Sequence, residues 1–155
     1  MDLQAEAEKA GFIFQNLLVW DKGNATPNKF YLNALEFIIM LRKGGQRYIN
    51  NMGTTNILRV KNIIGNKLHP TEKPVAVNEI LIENSTEPNQ VVLDPFMGSG
   101  SCGVACKELG REFIGCEIDE KYFEIAKNRI EGAFVVRPKE SGVQMSMFDI
   151  LGEEK

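Results

Sequence analysis

The stretch from Gln90 to Asp119, QVVLDPFMGSGSCGVACKELGREFIGCEID, leaves the chain few folds to choose from. Val91, Val92 and Leu93 form a short β-branched and apolar run, the pattern of a strand buried on both faces. Asp94 closes it, and Gly98-Ser99-Gly100-Ser101-Cys102-Gly103 supplies a turn that side chains do not crowd. Ser101 to Leu109 has helical composition, with Gly110 where a helix C-cap favours glycine. Glu112 to Cys116 predicts a second strand, with Glu117 at its carboxyl end. Strand, glycine turn, helix and strand make one unit of an open α/β sheet, where ligands lie beyond the carboxyl ends of the strands. Two acids and a bare backbone loop therefore meet at one crevice.

That crevice has a chemical preference. Loop N–H groups can approach a ligand closely because no Cβ intervenes. Glu117, 19 positions after Gly98, is placed to accept two hydrogen bonds from a ribose diol, each worth ~1.5–3 kcal/mol as a charge-assisted bond. Asp94 suits a cationic group such as an ammonium. A nucleoside with a positive end fits this set better than one with a pyrophosphate. Gly98-x-Gly100-x-x-Gly103 also satisfies the dinucleotide fingerprint, which would make the protein an NAD-dependent oxidoreductase. A dinucleotide fold needs further β-α units after the second strand, and the chain supplies one more helix and a tail.

Asp94-Pro95-Phe96-Met97-Gly98-Ser99-Gly100 resembles the S-adenosylmethionine motif of DNA amino-methyltransferases, the enzymes that methylate adenine N6 or cytosine N4. His69-Pro70-Thr71-Glu72-Lys73-Pro74 is similar to the segment that precedes that motif in the circularly permuted (β) branch of the family. The two motifs stand in this order, separated by one helix and one strand. The resemblance implies an α/β fold, a Rossmann-like methyltransferase sheet with helices on both faces, and S-adenosyl-L-methionine as cofactor. It places Thr71 and Lys73 near the methionine end, with His69 in a structural or cofactor-adjacent role. Asp94, Phe96 and Gly98, Ser99, Gly100 and Ser101 then surround the cofactor, and Glu117 takes the ribose. Double-stranded DNA is the implied partner; adenine and cytosine stay undecided.

Methyl transfer to an exocyclic amine needs a pocket for a flipped base. In this family a tetrapeptide, Asp/Asn/Ser-Pro-Pro-Tyr/Phe/Trp, supplies it, and none of the six prolines here follows another. No catalytic residue is therefore assigned. The sheet is expected to be incomplete, lacking the strand that carries this motif between Val91–Leu93 and Phe12–Trp20, with two apolar strands left prone to association. The expectation is a carboxyl-terminal part of the enzyme, inactive until an amino-terminal half joins it. The other class of reading is a non-catalytic remnant or subunit that binds cofactor, DNA or a sliding clamp.

Charge supports the nucleic-acid reading once it is divided. The net charge of the 155 residues is −3, yet residues 42–73 hold seven basic side chains and only Glu72 as an acid. Arg47, Arg59, Lys61 and Lys67 are the candidate DNA contacts; chance lysines on a solvated loop are the plainer alternative. Residues 46–68 correspond to a short target-recognition or loop segment, within one partial methyltransferase domain spanning 1–155. With one His and an odd three Cys, no metal site or disulfide framework is expected; Cys102 and Cys106 read as small buried residues. No apolar run approaches 18 residues and the amino terminus is acidic, so no membrane is expected and the cytoplasm is the default.

Elsewhere Asp2–Ala10 predicts a helix ended by Gly11, and Phe12–Trp20 a buried strand bounded by Asp21-Lys22-Gly23. Gly23–Lys29 reads as a polar loop, Phe37–Leu41 as a strand, and Ile49–Leu68 as irregular. Thr71 is expected to N-cap the next helix and Asp119 the last one, Glu120 to about Glu131. Residues 141–155 read as a flexible tail. Its Gln144-Met145-Ser146-Met147-Phe148 resembles the bacterial sliding-clamp-binding pentapeptide, with Gln144 at the pocket rim and Met147 and Phe148 in an apolar cleft.

Overall fold

A computed structural model describes residues 3–27 and 29–132; the clamp-like pentapeptide and the rest of the expected tail lie outside them. The chain divides into two compact units, Met1–Asn62 and Ile63–Lys155.

In the first unit, helix α1 (Leu3–Lys9) ends at Gly11, whose φ is +84°. Strand β1 (Ile13–Thr26) pairs antiparallel with β2 (Asn33–Arg42), and β3 (Ile57–Arg59) lies parallel to β1 at Val19–Asp21, giving the order β2-β1-β3. The strand expected over Phe12–Trp20 is longer than its apolar run. It passes through Asp21–Gly23 and takes up most of the anticipated polar loop, with a register irregularity between Asp21 and Thr26.

Nor is β1 buried along its length. Ile13 to Leu17 are exposed, and burial begins at Leu18 and is complete at Trp20. Apolar composition marks what a strand wants to bury, not whether a neighbour is there to cover it. Trp20 is core: its indole N–H donates to the Val60 carbonyl at 2.7 Å. Lys22, expected at a strand boundary, is buried instead, its ammonium 2.8 Å from Glu36 and 5.8 Å from the Trp20 ring centre.

The irregular reading of Ile49–Leu68 misses β3, which buries Leu58. Pairing then continues from Val60 N–H to Asp21 and from Asn62 N–H to Lys22. Three strand residues are too few for alternation to register in sequence. β1 is paired with β2 from Ile13 onward but with β3 only at Val19–Asp21, so β2 and β3 are the edge strands of this sheet and Ile13–Leu18 have no partner strand on the β3 side among the described residues.

In the second unit the order is α2 (Val75–Ser85), β4 (Val91–Asp94), α3 (Ser101–Glu108), β5 (Glu112–Gly115) and α4 (Glu120–Glu131). β4 and β5 pair in parallel, Val91 opposite Glu112 through Asp94 opposite Gly115, with α3 as the crossover. Val92 and Phe113 point inward to Ile82, Ala105, Cys106, Ala126 and Ile130. Gly103 permits that closeness, since a Cβ there would lie 2.4 Å from Ile130 Cδ1 and 2.8 Å from Phe113. Val91, Leu93 and Ile114 point the other way and are 53%, 62% and 51% exposed, so β4 is covered on one face among the described residues. Thr71 does not cap α2; Pro74 precedes it without a side-chain cap. Asp119 does cap α4, accepting from Tyr122 N–H at 3.1 Å.

Candidate functional site

Local hydrogen bonds build the crevice at the carboxyl ends of β4 and β5. Cys116 N–H donates to the Asp94 carbonyl and Met97 N–H to the Cys116 carbonyl, each at 2.9 Å, lacing the loop after β4 to the end of β5. Buried Met97 anchors that lacing. Asp94 Oδ1 accepts Phe96 N–H at 3.0 Å, which turns the chain and leaves the Phe96 ring 87% exposed. Glu117 then closes the site: its Oε2 accepts Gly98 N–H at 2.9 Å and its Oε1 accepts Asp119 N–H at 3.0 Å. The bond from Asp119 first, then those from Gly98 and Ile118 and the nearby His69, hold its carboxyl below the usual glutamate range.

His69 joins this group. A Cβ on Gly98 would be 3.6 Å from its ring, and Tyr122 of α4 meets the ring edge-on at 4.2 Å between centres. Its Nδ1 accepts Thr71 N–H at 3.2 Å and lies 3.0 Å from Thr71 Oγ1. The structure thus brings His69, Thr71, Asp94, Phe96, Gly98 and Glu117 into one laced neighbourhood. Lys73 stands half-buried one residue before Pro74.

Ser99 and Ser101 face inward. Both are buried, at 3% and 6% exposure, with their hydroxyls toward the Arg129 guanidinium. Gly100 between them needs to be glycine twice over. Its φ is +79°, and a Cβ would sit 3.0 Å from Ala126 Cα and Cβ. Glycine here lets α4 approach the loop, a packing role beside the one expected for ligand approach.

Arg129 and Glu72 are contributors that sequence reasoning passed over. Arg129 follows Ala126 by three positions on the buried stripe of α4, and an arginine on an apolar stripe is the signal that was available. Glu72 is the one acid in the basic segment, and it is buried.

The proposed DNA contacts are spread over both units. Arg47, Arg59 and Lys61 are exposed in the first, and Lys67 is half-buried in the second. Arg59 in β3 and Lys61 two residues on share the side opposite buried Leu58. Cys106 is fully buried, and contact with it, then burial, pushes the Cys102 thiol up. Among the described residues no group of three or more His, Cys, Asp or Glu gathers to hold a metal, and no helix is long and apolar enough to cross a membrane.

Comparison with known proteins points the same way. The family model N6_N4_Mtase, described as DNA methylase, matches residues 1–128. Type II methyltransferase M2.LlaDCHI of Lactococcus lactis subsp. cremoris is 36% identical over 142 residues, covering 79% of this chain and 53% of that protein. Type II methyltransferase M2.DpnII of Streptococcus pneumoniae is 34% identical over 143 residues, covering 80% and 53%. The crystal structure of the M1.HpyAVI–SAM complex superposes with a TM-score of 0.66 at 34% identity, over 83% of this chain and 71% of that one. The chain spans about half the length of the curated relatives it matches, 53% in both cases.

Proposed function

The chain belongs to the DNA methylase family N6_N4_Mtase, and from that membership we propose that it is the cofactor-binding portion, with part of the DNA-binding portion, of a site-specific amino-methyltransferase. S-Adenosylmethionine is the cofactor, and adenine N6 or cytosine N4 in double-stranded DNA is the acceptor. The observation that carries this reading is Glu117 bonded into the Gly98 turn where two parallel strands end.

The residues present fit the cofactor. Glu117 accepts backbone N–H groups and its carboxylate keeps acceptor capacity for a ribose hydroxyl. Asp94, Thr71 and Lys73 attend the methionine end, and the exposed Phe96 ring offers an apolar surface. Ser99 and Ser101 contribute through backbone, since their hydroxyls are engaged elsewhere. When bound, the cofactor supplies an electrophilic methyl group; this chain's residues hold and orient it.

No two prolines stand together in the chain, so the Pro-Pro-aromatic element that grips a flipped base is brought by another stretch of polypeptide. By itself the chain binds without transferring methyl. Arg47, Arg59, Lys61 and Lys67 contact phosphate.

Calorimetric titration with S-adenosylmethionine and, separately, NAD tests the first half of this reading. Binding of the former, lost in Glu117→Ala, is expected; binding of NAD alone would overturn it. Methyl transfer to duplex DNA is expected only when a polypeptide carrying the amino-terminal half of a relative is added, and transfer by the chain alone contradicts the second half. The tail is proposed to dock a sliding clamp through Gln144, Met147 and Phe148. A Phe148→Ala tail peptide that bound the clamp as well as the unaltered one excludes that route.

A further inference from the structure

Behind the turn lies a buried charge that the cofactor contacts do not use. Arg129 Nη1 stands 2.7 Å from Glu72 Oε1, and the two side chains are 10% and 4% exposed. The same nitrogen lies 3.2 Å from the Ser99 carbonyl, 3.4 Å from Ser99 Oγ and 3.2 Å from Ser101 Oγ. With two hydrogens on that nitrogen, one is directed to the carboxylate and the other is shared among the serine oxygens. Glu72 is engaged at its other end as well, Oε2 accepting Leu68 N–H at 2.7 Å, while its own N–H donates to the His69 carbonyl at 3.0 Å. One ion pair thus ties the His69–Glu72 segment to the glycine turn.

A buried ion pair gives little net stability compared with apolar residues of the same shape, because desolvation offsets the attraction. What it does give is geometry: charge-assisted bonds have narrow distance and angle requirements. Arg129 is not alone in this. Tyr122, Ala126 and Arg129 lie along one side of α4 and meet, in turn, the His69 ring, Gly100, and Ser99 with Ser101. Displacement of a binding loop by about 1 Å is enough to cost large factors in function.

We infer that Arg129, oriented by Glu72, is a positioning residue that fixes the Gly98–Ser101 turn against the His69–Lys73 segment before the cofactor arrives. The inference rests on the cofactor reading for its consequence but not for its geometry.

The test uses the full chain with Glu72→Met and Arg129→Met combined, which removes both charges and leaves neither unpaired. The expected result is a melting midpoint close to that of the wild type, faster amide exchange at Ser99–Gly103 without ligand, and an S-adenosylmethionine dissociation constant raised about tenfold or more. Arg129→Lys, which keeps a cation beside Glu72 and the serines, is expected to regain most of the affinity and the exchange protection. Should the double variant not fold, Ser101→Ala removes one acceptor and leaves the ion pair intact. It is then expected to speed exchange at Ser99 and Gly100 and weaken binding to a smaller degree. Unaltered turn exchange in the variant that folds overturns the inference. Altered exchange in a protein whose wild type takes up no S-adenosylmethionine leaves the brace standing and removes the cofactor reading instead.

Discussion

Gly98, Gly100 and Gly110 of the second unit hold left-handed backbone, and alanine at each separates backbone cost from packing cost. Gly110, at φ +69°, has nothing within 4 Å of a built Cβ. Gly110→Ala therefore meets only the left-handed penalty, about 1–2 kcal/mol. Gly98→Ala, at φ +53° with the His69 ring 3.6 Å away, adds an ordinary van der Waals contact and should cost much the same. Gly100→Ala differs. Its Cβ falls 3.0 Å from Ala126 Cα and Cβ and 3.3 Å from the Ala126 carbonyl oxygen, so backbone of α4 must shift. Overpacking of that kind adds about 1–3 kcal/mol. With a urea slope of about 1–2 kcal/mol per molar, the extra term lowers the unfolding midpoint by about 1 M relative to Gly110→Ala. Far-ultraviolet circular dichroism is the suitable signal, because it follows α2, α3 and α4, whereas the single tryptophan, Trp20, stands in the first unit. If Gly100→Ala unfolds at the same urea concentration as Gly110→Ala, the claim that α4 needs glycine beneath the turn is wrong.

Glu117 gives a pH prediction. Its carboxyl titrates below the ordinary 4.5 when folded, so its stabilising contribution is complete above that value and disappears as pH falls through the lower folded one. Glu117→Gln should flatten that acid limb of the melting profile, and identical limbs in both proteins would refute the assignment. Thiol labelling under native conditions, read by mass spectrometry, should modify exposed Cys116 first and leave buried Cys106 and the raised thiol of Cys102 slow. Arg59→Ala and Lys61→Ala should each weaken duplex DNA binding regardless of sequence and reduce the slope of log affinity against log salt by about 1. Unchanged slopes would remove these residues from the phosphate contacts.

The crevice was legible because its determinants are local. Asp94, the glycines and Glu117 fall within one strand-turn-helix-strand unit, and each bond among them forms between neighbouring elements. Asp119 as a cap was legible for the same reason. The pairing of Glu72 with Arg129 was not, since the two are far apart in sequence and nothing in either residue's neighbours names the other. The exposure of Ile13–Leu17 was hidden because an apolar strand has the same composition covered or bare. Lys22 misled by its charge, which Glu36 neutralises from the next strand.

Helix α4 acts as a ruler. Tyr122 and Arg129 are two turns apart, about 10 Å of rise, and that length sets the interval between the His69 ring and the serines. Point substitutions there disturb one end of that interval at a time. One inserted residue between them instead rotates everything downstream by about 100° and misaligns the far end of the scale in a single step, so in comparing relatives the count of residues across this helix says more than their identities.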